Sequence, residues 1–454
     1  MENSFIFLSL RDNMLLRPCD GYAMLYSKTG DVRLIVSPSE ALILSLCNGK
    51  SVLSDIAYIY SKTFDVDYFK AIDSVKSVLE RNASYIRRSN KPVELPNGIN
   101  PLDFIMFSRM DEIASGKWPL DPPWEVGLVV SYECNFNCRY CFLPGKRHIK
   151  KCSLTSISFE TCHKVIDEAC SWGVPYIGIF GGEPLMYPKW DDLALQVLDG
   201  GSIPLITTNG SLIGEREAEK IAKIGIPRIV VSLEAVGAEM FSRITRGPID
   251  AYSKVLNAIH LLCKNGVTVA VKGVCMPENI HIIEELAVLL AGFGVEEMHF
   301  VRMERGHPFG NSSNCPAASL EDLEYVRRIT RSLSEKLGIK INGPSEPAND
   351  AFPCGNMHIA MGIRPPGLVG ICAKFAGNAD FDLGDVRTQS LKEIWYGEPM
   401  ESFRRSCTDP ALVGKECATC NLLQNCRTGC FYDSYMATGN ILDPPPYCSR
   451  LGRV

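Results

Sequence analysis

"EVGLVVSYECNFNCRYC" (125–141) is an apolar run that leads into three cysteines, Cys134, Cys138 and Cys141. A short apolar run of this kind reads as a strand buried on both faces, the type that parallel sheets use. The cysteines then fall on the loop at its C-terminal end, the edge where parallel α/β folds build their sites. Three thiolates are one short of a closed structural metal cage. Either they hold three irons of a 4Fe–4S cube and leave the fourth open, or they form a zinc site, or they are incidental buried thiols.

Downstream the sequence alternates. Strand-like runs recur at "YIGIF", "PLITT", "RIVVSL", "VTVAVKGV" and "EEMHFVRM". Between them lie helix-period segments: "FETCHKVIDEACSWG", "DLALQVLDG", "EREAEKIAKIG", "YSKVLNAIHLLCKNG" and "IIEELAVLLAGFG". Six such units over 124–310 predict parallel strands with crossover helices. A partial barrel is favoured over a doubly wound sheet, and periodicity alone does not separate the two. "SNCPAASLEDLEYVRRITRSLSEKLG" (313–338) supplies a helical bridge within 311–345. Beyond it, 346–454 is irregular and rich in Gly, Pro and Cys, with too little apolar periodicity for a conventional core; metal is expected to hold it.

Upstream, residues 1–90 form a small α+β unit. "FIFLSL", "YAMLYS" and "VRLIVS" predict strands, and "SPSEALILSLCNGK" (37–50) predicts a helix with Ser37 or Ser39 as N-cap and Gly49 near the stop. "SVLSDIAYIYSKTF" and "DYFKAIDSVKSVLERNA" complete a winged-helix-like pattern. Residues 91–123 are rich in Pro and Asn and read as a linker, with "FIMFSRMDEIA" as a short helix.

Composition narrows the function. The 454 residues carry 47 basic and 52 acidic side chains, a net charge of −5, which argues against a nucleic-acid partner. "ALILSLC" (41–47) is too short to span a bilayer, and "MENSFIFLSLRDN" lacks a basic leader, so a cytoplasmic chain with no membrane partner is expected. In a reducing compartment disulfides are rare, and the 19 cysteines read as metal ligands plus buried bystanders.

With Cys-x3-Cys-x2-Cys, Tyr140 before the last cysteine, and this placement in a β/α series, the stretch 124–310 resembles the radical S-adenosylmethionine (SAM) superfamily. The resemblance implies a 4Fe–4S cluster on Cys134, Cys138 and Cys141 whose open iron binds SAM. One electron then cleaves SAM to methionine and a 5′-deoxyadenosyl radical. "GIFGGEPLM" carries Gly181, Gly182, Glu183 and Pro184, similar to the family motif that contacts the SAM amino group; Glu183 can pair with an ammonium. "TTNG" (207–210) ends the third strand. By resemblance Ser232 and Glu234 of "VSLEAVG" are ribose contacts, where the common second residue is Asp. Arg246 resembles the arginine that meets the SAM carboxylate, and Arg243 is the alternative. For these three single residues, solvated or capping roles remain open.

A second array is the most specific signal: Cys354-x12-Gly367-x4-Cys372, then Cys417-x2-Cys420-x5-Cys426-x3-Cys430-x17-Cys448. It resembles the SPASM extension of radical SAM enzymes, with a zinc ribbon as the alternative for Cys417 and Cys420 alone. The resemblance implies two auxiliary clusters, three 4Fe–4S clusters in all. One sits on Cys417, Cys420, Cys426 and Cys448, the other on Cys354, Cys372 and Cys430. Anaerobic sulfatase-maturating enzymes place another cysteine six residues after the first; here that residue is Ala360. Cys315 or a substrate thiolate could complete the three-cysteine set. Cys19, Cys47, Cys152, Cys162, Cys170, Cys263, Cys275 and Cys407 fit no ligand pattern and read as small buried hydrophobes.

Residues 1–90 resemble the PqqD-like element that captures a leader peptide by adding it as a strand; a DNA-binding winged helix or a structural cap is the alternative. The resemblance as a whole implies a peptide maturase. It would act on a ribosomal precursor peptide, be supplied with electrons by a flavodoxin or ferredoxin, and form a thioether as sactipeptide and ranthipeptide synthases do. Carbon–carbon cross-linking and epimerisation are the nearest alternatives, followed by sulfatase maturation and a non-catalytic iron–sulfur redox sensor.

Overall fold

Two units divide the chain, Met1–Pro122 and Pro123–Val454. The computed structural model describes residues 6–19, 22–94, 99, 101, 104, 119–143, 155–303, 315–344, 354, 356–375, 378–446 and 448. The "FIMFSRMDEIA" helix and Cys152 lie outside them, apart from Phe104.

The first unit contains β1 (Phe7–Leu10), β2 (Met14–Cys19), β3 (Tyr22–Ser27), β4 (Arg33–Val36), α1 (Pro38–Leu46), β5 (Asn48–Val52), α2 (Leu53–Phe64), α3 (Tyr68–Arg81) and β6 (Ile86–Ser89). Its strands form two antiparallel three-stranded sheets, β2-β3-β4 and β5-β1-β6. Ser37, and not Ser39, is the N-cap: its hydroxyl accepts from the Glu40 amide. β2 and β5 were not legible, because "MLLRPC" contains Arg and Pro and "NGKSV" lacks apolar alternation. The described residues of 91–122 pack onto this unit. The Val93 amide donates to Gly49, Phe104 is buried in the core with Leu42 and Ile56, and the Tyr22 hydroxyl bonds the Asp121 carbonyl at 2.9 Å.

The second unit begins with β7 (Glu125–Ser131), α4 (Phe159–Trp172), β8 (Tyr176–Gly181), α5 (Trp190–Asp199), β9 (Ile203–Thr208), α6 (Glu215–Ile224) and β10 (Arg228–Ser232). It continues through α7 (Ala238–Thr245), α8 (Ala251–Lys264), β11 (Thr268–Cys275), α9 (Ile283–Ala291), β12 (Glu297–Arg302), α10 (Leu320–Leu337) and β13 (Lys340–Asn342). Strands β7 to β13 pair in strict chain order and all in parallel. A doubly wound sheet would reverse its strand order at a switch point. Unreversed winding is that of a barrel, here an open one. The apolar faces of the helices, such as Val165, Ile166 and Ala169 of α4, share one buried core with strand residues such as Val126 and Leu128 of β7.

The C-terminal region departs from expectation. β14 (Ala360–Arg364) pairs in parallel with β7, and β15 (Leu368–Gly370) and β16 (Asp382–Asp385) extend the same sheet to ten strands. Ile363, Val369, Phe375, Trp395 and Phe431 belong to the barrel's own apolar core. A conventional core therefore reaches into this region. Its strands are too short, and too broken by turns such as "RPPG", for a period to show in the sequence.

At the N-terminal ends of the strands, opposite the cysteine edge, Glu297 collects three basic side chains. Arg228 lies at 2.6 Å, and His299 and Lys340 at 2.9 Å. Burial raises the Glu297 carboxyl, but the bonds to His299 and Lys340 and the Arg228 charge outweigh it and hold the group at about 2. A depressed carboxyl contributes stability above its unfolded value of 4.5, and loses it as pH falls through about 2. Glu297→Gln is expected to destabilise the chain by at most roughly 3 kcal/mol at neutral pH. Denaturant unfolding should show that gap closing as pH falls from about 4 to about 2.

Candidate functional site

The loop after β7 is pinned on both sides. On one, the Asn137 and Arg139 amides donate to the Thr245 and Ile244 carbonyls at the end of α7, at 3.1 and 2.9 Å. The Arg139 guanidinium binds both oxygens of Glu278, at 2.7 and 3.0 Å, and Glu278 also meets Arg243 at 3.4 Å. On the other, Asn135 links to Asn209 and Ser211, each at 2.8 Å, tying the loop to the "TTNG" end of β9. The loop thereby holds Cys134, Cys138 and Cys141 half-buried and within electrostatic reach of one another. Burial raises Cys138 well above an ordinary thiol, reinforced by Glu234 and the other two cysteines; burial also raises Cys141. A bound metal would reverse that direction, because its charge stabilises thiolate.

The end of β8 lies against this loop. The Gly182 and Glu183 amides donate to the Ser131 and Glu133 carbonyls, both at 2.8 Å. A Cβ on Gly181 would sit 2.5 Å from the Ser131 oxygen, and one on Gly182 would sit 2.2 Å from the Glu133 oxygen. The two glycines permit this approach of backbone to backbone. Glu183 is buried, and its carboxylate accepts from the Thr208 hydroxyl and Asn209 amide at 2.7 Å and from the Leu185 amide at 3.1 Å. It braces the ends of β8 and β9, a role the ammonium-pairing expectation did not include.

Glu234, beyond the end of β10, is buried, and burial pushes its carboxyl up to about 8. Its side chain meets the Tyr140 hydroxyl, while Oε2 has no hydrogen-bond partner among the described residues. Ser232 is the half-buried last residue of β10. Arg246 caps α7 in a left-handed conformation (φ 52°) and is exposed, with no ion pair among the described residues. Arg243, its alternative, is engaged by Glu278.

The later cysteines fall into two groups. Cys417 lies within electrostatic reach of Cys420, Cys426 and Cys448; Cys354 lies within reach of Cys372 and Cys430. Cys315 is the remaining candidate ligand. Its Sγ lies 3.9 Å from the Met276 sulfur, and the charges that reach it are Arg139, Glu278 and Arg246, beside the first cysteine loop. Ala360 opens β14. Among the remaining cysteines, Cys47, Cys162, Cys275 and Cys407 are buried and Cys19, Cys170 and Cys263 half-buried.

Among the described residues no three Cys, His, Asp or Glu side chains close around a single metal ion. Thiols grouped in threes and fours suit a multi-iron cluster, where each sulfur serves its own iron. The orphaned Glu234 Oε2 and the close glycine approach suit a polar ligand beside the first set. The Arg139–Glu278 and Asn135–Asn209 links escaped sequence reading, because neither pair has a spacing that marks it. α7, "AEMFSRIT", also went unread.

Residues 128–290 match the Radical SAM superfamily, and residues 354–421 match the SPASM iron–sulfur cluster-binding domain. The chain is 26% identical over 335 residues to the AdoMet-dependent heme synthase of Methanosarcina barkeri, covering 69% of this chain and 93% of that protein. It is 23% identical over 332 residues to the PqqA peptide cyclase of Gluconobacter oxydans, covering 72% and 91%. The crystal structure of Streptococcus suis SuiB bound to precursor peptide SuiA superposes with a TM-score of 0.69 at 20% identity, covering 97% of this chain and 99% of that one. Among the described residues no helix is long and apolar enough to cross a membrane. The barrel with its three-cysteine loop is thus a radical SAM core, and the chain joins it to a SPASM domain.

Proposed function

We propose that the chain is a peptide maturase that forms a thioether in a ribosomally made precursor. The observation that carries this reading is the extent of the likeness to SuiB. It takes in 97% of this chain, first unit included, and that structure holds a precursor peptide. The similarity to a PqqA peptide cyclase adds to it. In this reading the leader adds as a strand to an open sheet edge of the first unit, where β2 and β4 are outermost in one sheet and β5 and β6 in the other.

Cys134, Cys138 and Cys141 would hold the cluster that binds SAM, and the bound pair would supply the radical chemistry needed to remove a hydrogen atom from a peptide carbon. Gly181, Gly182 and the edge that Glu183 braces receive the SAM amino group, while Ser232 and Glu234 meet the ribose. Arg246 serves the carboxylate, since Arg243 is engaged elsewhere. Cys417, Cys420, Cys426 and Cys448 hold one auxiliary cluster, and Cys354, Cys372 and Cys430 the other. The position of Cys315 beside Met276 supports a substrate sulfur, not Cys315, as the missing ligand of the second set.

The test is anaerobic reaction of the reconstituted full chain with its precursor, followed by thiol alkylation and mass spectrometry. Thioether formation is expected to remove two hydrogens per link and protect one cysteine from alkylation. The same loss with every cysteine still alkylated would mean a carbon–carbon link, and deuterium uptake from solvent without that loss would mean epimerisation. The heme synthase similarity favours a tetrapyrrole substrate; a porphyrin that elicits 5′-deoxyadenosine where the peptide does not would establish that instead.

A further inference from the structure

Lys374 follows Cys372 by two residues within one helical turn, Ala373–Phe375, and it is buried, 8% exposed. Burying an ammonium is costly unless negative charge or polar groups meet it. Its Nζ stands 5.4 Å from the centroid of the Tyr432 ring, and Tyr432 follows Cys430 by two residues. The Lys374 charge reaches both Cys354 and Cys430. Asp433 also acts on Cys430 with opposite sign, but it is engaged by Arg302 at 3.0 Å. Phe381, Tyr432 and Tyr435 pack ring to ring on Phe375, next along the turn, so the surroundings include a cluster of aromatic rings.

We propose that Lys374 raises the reduction potential of the cluster on Cys354, Cys372 and Cys430, and so fits that cluster to accept an electron from the reaction. The inference rests on the ligand assignment proposed above. Reduction adds one negative charge to a cluster, and a fixed buried cation stabilises the reduced form more than the oxidised one. In thioether formation the S–C bond forms as the C–H hydrogen atom passes to the 5′-deoxyadenosyl radical and the S–H proton to solvent. One electron remains, and the cluster that Cys354, Cys372 and Cys430 would hold beside Lys374 would be its acceptor.

The experiment uses the full chain with Cys134, Cys138 and Cys141 all replaced by Ala, reconstituted with iron and sulfide, so that only auxiliary clusters remain. EPR-monitored redox titration then reads their midpoints. Lys374→Gln is expected to shift one of the two signals to more negative potential and leave the other in place, while Lys374→Arg stays near the unsubstituted value. An unshifted midpoint in Lys374→Gln with unchanged iron content overturns the proposal. If Lys374→Gln loses one cluster, retention in Lys374→Arg supports the need for charge, and loss in both overturns it in favour of shape. A single auxiliary signal with Lys374 intact would mean that the ligand assignment itself has failed.

Discussion

Replacing Cys134, Cys138 and Cys141 together by Ala is expected to abolish 5′-deoxyadenosine formation while leaving the auxiliary iron in place. The three sulfurs sit on one loop that α7, Glu278 and the end of β9 fix from outside, so losing the thiols should not unfold it. The charges that act on Cys354 (Cys372, Cys430 and Lys374) and on Cys417 (Cys448, Cys426, Cys420 and Glu416) lie outside this loop. By the four-iron stoichiometry, iron should fall from about twelve to about eight per chain. Retained product would show that SAM is cleaved elsewhere. A fall to near zero iron would show that the three sets do not assemble independently.

Gly182→Ala is the second large effect. Its methyl would sit 2.2 Å from the Glu133 carbonyl oxygen and 2.6 Å from that of Tyr132, both backbone atoms that cannot rotate away. The backbone must instead separate β8 from the cysteine loop, breaking the Gly182 and Glu183 amide bonds to Ser131 and Glu133. Misplacing a reacting site by about 1 Å can cost on the order of 100-fold in rate. Loss of SAM turnover of that size is expected, with most of the iron retained. Activity within a few-fold of the unsubstituted chain would show that the close approach is not needed for the chemistry. The same substitution at Gly201, where an added Cβ meets nothing within 4 Å, provides the control for a glycine merely strained by its positive φ.

The barrel was legible because most of its strands are apolar runs followed by helices with their own stops, as at Gly173 and Gly225; β13, only three residues long, was not. Strand order was not, since an apolar run looks the same in a singly and a doubly wound sheet; it emerged from the unreversed pairing of β7 to β13. The cysteine arrays showed themselves through spacing, which covalent connection imposes on ligands close in sequence. Contacts between distant segments carry no such mark. Glu278 lies 139 residues from Arg139, and Glu183 holds a hydroxyl 25 residues away, so neither role could be read. Cys315 illustrates the converse. Sequence distance made it a candidate ligand, and its Sγ lies 3.9 Å from the Met276 sulfur, a contact that no spacing marks. The SPASM strands were missed because β15 has three residues and β16 four, too short for alternation to rise above turn residues.

The most direct measurement of the central claim is peptide-dependent SAM cleavage. The full chain, reconstituted and reduced under anaerobic conditions, is incubated with SAM and its precursor, and 5′-deoxyadenosine is counted against modified peptide. A peptide maturase of this kind is expected to form both products together, and removing the leader from the precursor is expected to lower both sharply. Assembly of the clusters with no 5′-deoxyadenosine, or 5′-deoxyadenosine that accumulates while the peptide mass stays unchanged, would contradict it.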